Sequence, residues 1–159
     1  VHGVKEESAR DAAALIRRCR VAALATLRDG APSASMVPYA LTLDPFAVIV
    51  LVSELAAHTG EMRADPRVAL LISEPESDAR PHELARVSIQ GTAAPLPPDD
   101  AHSAAARAAY LARFPDVSGL FDLGDFRLFS IVPATVRVVA GFARAASIAP
   151  ALLAQSLAE

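Results

Sequence analysis

Hydrophobic and polar positions along the chain change period often, and each change marks an element. Residues 6–19 hold good helix formers with no Gly or Pro, acids first and arginines last, and predict a helix. Val21–Leu27 then reads as a strand, followed by Asp29-Gly30, a strong hairpin signal, and a partner strand over Ser33–Leu43. Asp44-Pro45 marks a turn before Phe46–Val52, which is apolar on both faces and so predicts a central strand. Ser53 is a natural N-cap for a helix over Glu54–Ala64, closed by Asp65-Pro66.

Arg67–Ser73 predicts the next strand, and residues 74–83 a polar loop. Leu84–Ala94 reads as a strand with a bend at Gly91. Asp99 or Asp100 can cap an Ala-rich helix reaching Phe114, and a loop over 115–125 carries a helical turn near Gly119-Leu120-Phe121. Phe126–Val132 and Thr135–Phe142 read as two strands around Pro133, and Pro150–Leu157 as a short closing helix. About seven strands follow one another through short turns, with three or four helices between them. That order predicts an α+β, mainly β, antiparallel fold with helices outside the sheet, curled toward a barrel. A single domain over 1–159 is expected, without internal repeats.

Composition narrows the function. Hydrophobic residues make up 53% and charged residues 21%, which excludes a disordered chain. A net charge of −3 argues against binding nucleic acid by bulk charge, and 5% aromatics without Trp against a stacking platform. The lone Cys19 excludes an intrachain disulfide and a Cys-based zinc site. No histidine has another three or four residues away, so no helix presents a metal-binding pair, and no metal is expected. The longest apolar run, Phe46–Val52, is far too short to span a bilayer, and the N-terminus has no apolar signal core. A cytoplasmic location with no membrane contact is the expectation.

Three places carry candidate chemistry. Between Ser53 and Arg67, the side chains of Ser53, His58 and Thr59 offer donors, with Arg63 and Arg67 nearby; this suits an anion such as phosphate. The alternative is a core-edge histidine on the face of Leu55 and Met62. The run Ser35-Met36-Val37-Pro38 puts a proline in a strand, which fits either an edge strand or a backbone opened toward a ligand. Gly141-Phe142 combines close backbone approach with a flat apolar ring, or is a simple bend with a core residue.

In this order, several segments resemble the FMN-binding split barrel of the pyridoxamine 5′-phosphate oxidase-like superfamily, in its HugZ-like haem-utilisation branch. The residues carrying the resemblance are Ala23–Leu27 with Asp29-Gly30, Ser35–Tyr39, Ser53–Thr59, Asp65–Leu71, Arg86–Gly91 and Val139–Phe142, over a core of about 10–148. The resemblance implies a split β-barrel homodimer with FMN between the subunits. Ser35, Met36, Val37 and Pro38 would line the flavin, and Ser53, His58 and Thr59 would face its phosphate. Arg86 would lie near the ring or ribityl chain, with Gly141 and Phe142 arriving from the other subunit.

Two departures argue against pyridoxamine phosphate as substrate. Ala57-His58 stands where those oxidases have adjacent basic residues, and Ala143–Ala146 where they carry Arg-x-His. The leading expectation is therefore an FMN-binding oxidoreductase of unknown substrate, with no catalytic side chain assigned. The alternatives are a haem-binding or haem-degrading protein of the same fold, and a split barrel without cofactor that serves as a binding module.

Overall fold

Strand pairing decides the architecture. The computed structural model describes residues 2–77, 80–141 and 144–159. In chain order the elements are α1 (His2–Arg18), β1 (Val21–Arg28), β2 (Ala31–Pro38), β3 (Ala40–Leu43), β4 (Phe46–Ser53), α2 (Ala57–Ala64) and β5 (Arg67–Ser73). Then come β6 (Arg86–Pro95), α3 (Ala101–Arg113), β7 (Phe126–Val139), β8 (Ala145–Ile148) and α4 (Pro150–Ala158), with 3₁₀ turns at Pro81–Glu83 and Pro115–Asp122. The strands form one antiparallel sheet in the order β2-β1-β5-β6-β7-β4-β3, and β8 also pairs with β7. β2 and β3 stand at the two ends of that order yet follow each other in the chain. The sheet therefore curls until its ends meet at Tyr39, joined by covalent chain and not by a ladder. This is the expected mainly β, α+β split barrel with peripheral helices.

Tyr39 explains why the expected strand Ser33–Leu43 is two strands. Pro38 has no N–H for a ladder, and Tyr39 is wholly buried. Its hydroxyl lies 2.7 Å from the carbonyl of Ile16 and 2.8 Å from that of Cys19, so one proton is shared by two acceptors at the end of α1. The Arg113 guanidinium lies 4.9 Å from the Tyr39 ring centre and also donates to the Cys19 carbonyl. The barrel seam is thereby tied to both α1 and α3.

Two strands expected on either side of Pro133 are instead the single strand β7. The β6–β7 register passes from Gln90–Thr135 to Gly91–Pro133, leaving Ala134 as the extra residue of a bulge. Pro133 is tolerated because it sits at this irregularity, where a missing N–H breaks no regular ladder. β8 was not expected; its four residues Ala-Ala-Ser-Ile are too short to show a period.

β4 is apolar on both faces because each face meets a different layer. Val48, Val50 and Val52 point into the barrel with Leu24, Leu70, Ile89 and Phe129, under a lid of Ala12, Ala13 and Ile16 from α1. Ala47, Ile49 and Leu51 pack outward on Ala106, Tyr110 and Phe114. Burying such a side chain contributes about 1.5–3 kcal/mol each. α3 starts as expected, with Asp100 accepting the His102 N–H at 3.2 Å.

Candidate functional site

The corner where β4 passes into α2 holds most of the expected anion donors. Ser53 ends β4, and its Oγ accepts the Leu55 N–H at 3.1 Å. It does not cap α2, whose N-cap is Ala56 without a side-chain bond. The expected cap is corrected for a physical reason: the hydroxyl closes a tight turn before the helix begins, so the helix starts at Ala57 and not at Glu54. Thr59 is fully buried and donates its hydroxyl proton to the Ser53 carbonyl at 2.6 Å. Leu55, expected on the inward face, is 88% exposed because it lies in this turn and not on the helix.

His58 is half-buried, and its ring has no hydrogen-bond partner among the described residues. Burial holds its pKa below the usual 6.5, opposed in part by the Glu61 carboxylate. The ring is neutral at pH 7 and so offers one nitrogen lone pair. The cations expected nearby are already matched. Arg63 pairs with Glu54 at 2.6 Å, and Arg127 approaches the same carboxylate at 3.5 Å. Arg67 forks onto Asp65 at 2.6 and 3.0 Å, and those bonds hold the Asp65 carboxyl down at about 2.

The second candidate run lies on β2, an end strand of the sheet. Alternation sends its four side chains to two faces. Val37 is buried, whereas Met36 is 63% exposed and Pro38 is also outward. Ser35 Oγ is buried with no hydrogen-bond partner. An orphaned hydroxyl of this kind costs about 1–3 kcal/mol unless something satisfies it.

Arg86 and Gly141 lie elsewhere. Arg86 opens β6 opposite Val139, donates to the Leu84 carbonyl at 3.0 Å, and is near the approach to Gly141, whose φ of +98° suits glycine. Ser53 pairs with Phe126 at the opposite end of β7. The 14 residues of β7 therefore separate Arg86 and Gly141 from Ser53, His58 and Thr59 within one copy. Phe142 lies outside the described residues.

A buried carboxylate escaped the sequence reading. Glu61 on α2 is 6% exposed, accepts a short hydrogen bond from Thr26 Oγ1, and lies 3.0 Å from Arg28 Nε. Hydrogen bonds from Thr26 and Ser33 lead the causes that hold its pKa below the usual carboxylate range. The clamp ties α2 to the β1–β2 hairpin. A signal existed: Thr26 follows Ala22 and Leu24 on the inward face of β1, and an inward hydroxyl needs a partner. Among the described residues no three His, Cys, Asp or Glu side chains gather as a metal site, and no helix is long and apolar enough to cross a membrane.

The outward face of the same strands carries small and apolar side chains, bordered by Arg67 and Arg137. The register aligns Met36, Ala23, Leu71 and Ser88 in one row, and Ala34, Ala25, Ala69 and Gln90 in the next.

Known proteins match this chain along most of its length. The family model described as pyridoxamine 5′-phosphate oxidase matches residues 9–140. A non-canonical heme oxygenase, HOZ, of Arabidopsis thaliana chloroplasts is 38% identical over 117 residues, 74% of this chain and 34% of that protein. The structure of a heme binding protein from Mycobacterium smegmatis superposes with a TM-score of 0.83 at 32% identity, over 93% of this chain and 60% of that one. HutZ, the heme storage protein from Vibrio cholerae, gives 0.70 at 25% identity, over 76% and 86%. The chain thus spans about a third of the Arabidopsis relative and 60% of the mycobacterial one.

Proposed function

Since this chain belongs to the pyridoxamine 5′-phosphate oxidase family, in its haem-utilisation branch, we propose that it binds haem as a homodimeric split barrel. The observation that carries this reading is the match, over most of the barrel, to three relatives named for haem. The donor chemistry of His58 fits. Its ring is neutral, half-buried and unbonded, which is the state an iron-ligating imidazole needs. His102 is engaged with Thr42 Oγ1 at 3.0 Å, and His82 sits in an exposed 3₁₀ turn. Haem, when bound, would supply an iron centre for redox chemistry, and His58 would hold it through the free ring nitrogen.

The chain's own residues then act by position. The Thr59–Ser53 bond fixes the turn that precedes His58, and the Glu61 clamp fixes the helix that carries it. Dimerisation is supported by the two outward rows around Ala23 and Leu71, an apolar surface of the kind monomers rarely leave open. Titration of the purified protein with hemin tests the reading. A stoichiometric Soret change in the native protein, altered in His58→Ala, is expected. Affinity should be flat above pH 6.5 and fall as the ring protonates at lower pH.

A second reading, an FMN-dependent oxidoreductase of unknown substrate, is favoured by one specific observation. Ser35 Oγ is buried and unsatisfied on an end strand, where a flavin heteroatom could satisfy it. In this reading FMN supplies the redox chemistry, β2 lines the ring, and Ser53 and His58 hold the phosphate while Thr59 braces their turn. Arg86 and Gly141 come from the second copy, since one copy holds them far from Ser53 along β7. The pH dependence then has the opposite sign: affinity rises as His58 protonates, after allowance for the phosphate's own titration. A protein that takes up neither hemin nor FMN is the cofactor-less binding module.

A further inference from the structure

A separate cleft of about 510 Å³ lies outside the barrel, where α3 and the Pro115–Asp122 turn lean over the start of β7. Its walls are Leu96, Phe121, Phe126 and Leu128. Two arginines, Arg107 and Arg127, reach it, and among the described residues no carboxylate lines it. Both cations are held in place. Arg107 stacks with its guanidinium 4.4 Å from the Phe121 ring centre, and no acidic side chain pairs with it among the described residues. Arg127 donates to the carbonyls of Gly124 at 2.7 Å and Phe126 at 2.9 Å, and it shares Glu54 with Arg63.

We propose that this cleft is a binding site for a small flat apolar molecule bearing one carboxylate, with the carboxylate on Arg107. Three observations fix the ligand class. The volume lies within the range of about 300–1,000 Å³ usual for small-molecule sites. The aromatic and aliphatic walls select a flat apolar body. The preset, unmatched guanidinium selects a planar anion that accepts its fork of donors. Arg127 adds positive potential but is partly neutralised by Glu54, so Arg107 dominates recognition. The site is independent of any cofactor reading, because none of its lining residues is among the candidate cofactor contacts.

The probe is 2-naphthoate, with 2-naphthamide as its uncharged counterpart, titrated by calorimetry into the full chain as purified. Naphthoate should bind about two- to fivefold more tightly than naphthamide, the effect of one ion pair to an exposed guanidinium. Arg107→Gln should erase that difference, bringing naphthoate binding to the level of naphthamide. Ala104→Phe, at an exposed α3 position on the cleft rim, should block both probes while the melting temperature stays near that of the native protein. Absence of naphthoate binding to the native protein overturns the proposal. Binding that survives both substitutions places the probe elsewhere and also overturns it.

Discussion

The Thr59 hydroxyl lies 2.6 Å from the carbonyl oxygen of Ser53, six residues earlier, and Thr59 has no exposed surface. This bond staples the end of β4 to the first turn of α2 and so determines where the neighbouring His58 ring is held.

Thr59→Val keeps the shape of the side chain but removes one of two hydrogen bonds to the Ser53 carbonyl, which still accepts the Ala56 N–H at 3.1 Å. It should cost about 0.5–1.5 kcal/mol of stability, the net contribution of one such bond. Urea unfolding of the native and variant proteins measures it. A change below a few tenths of a kcal/mol would mean that water or a relaxed turn replaces the bond.

Two buried tyrosines predict an alkaline limit to stability. Burial raises the pKa of Tyr39 well above its usual 10 and that of Tyr110 to about 12. The folded state therefore favours the neutral phenols. Their contribution is complete below pH 10, where the unfolded chain also holds its protons, and is lost as pH rises toward and through the folded values. Melting temperatures recorded from pH 9 upward should fall beyond pH 10, and less steeply in Tyr110→Phe. A parallel decline in that variant would remove Tyr110 as a cause.

Gly91 sits opposite the β7 bulge, where an added Cβ would lie 2.5 Å from the Val132 carbonyl oxygen. That contact is with backbone and cannot swing away. Gly91→Ala should therefore destabilise the protein by about 1–3 kcal/mol through overpacking. Denaturant midpoints check it, and an unchanged midpoint would show that the bulge can shift.

How much of this was legible in the sequence depended on whether the decisive contact was local. Asp29-Gly30 and the Asp100 cap were readable because turn and cap chemistry act within a few residues; Asp29 and Gly30 both have positive φ, as the hairpin requires. β5 kept its predicted limits because Asp65-Pro66 stops the chain before it. The break at Tyr39 was not readable, since it depends on carbonyls of Ile16 and Cys19 some twenty residues away. Nor was β7's passage through Pro133, which is permitted by a bulge opposite Gly91 on another strand. At the site, the residue types of Ser53, His58 and Thr59 suggested donors. Only the fold shows that Thr59 spends its proton on Ser53 and that Arg63 and Arg67 already have carboxylate partners.

The outward rows centred on Ala23 and Leu71 predict the dimer surface. Leu71→Glu places a charge there without disturbing the inward core, since Leu71 is 42% exposed. Light scattering at micromolar protein should give a native mass of about twice 16.6 kDa, and close to 16.6 kDa for the variant. A native monomer would contradict the dimer itself, and a variant that remains dimeric would move the interface off these rows.

Hemin titration of the native protein and of His58→Ala, at pH 8 and again below pH 6, tests the central claim most directly. The account predicts a stoichiometric complex at pH 8, with an altered Soret band and weaker binding in the variant. It also predicts weaker binding of the native protein at the lower pH, as the His58 ring takes up a proton. A native protein that ignores hemin but takes up FMN, more tightly as pH falls, would contradict it.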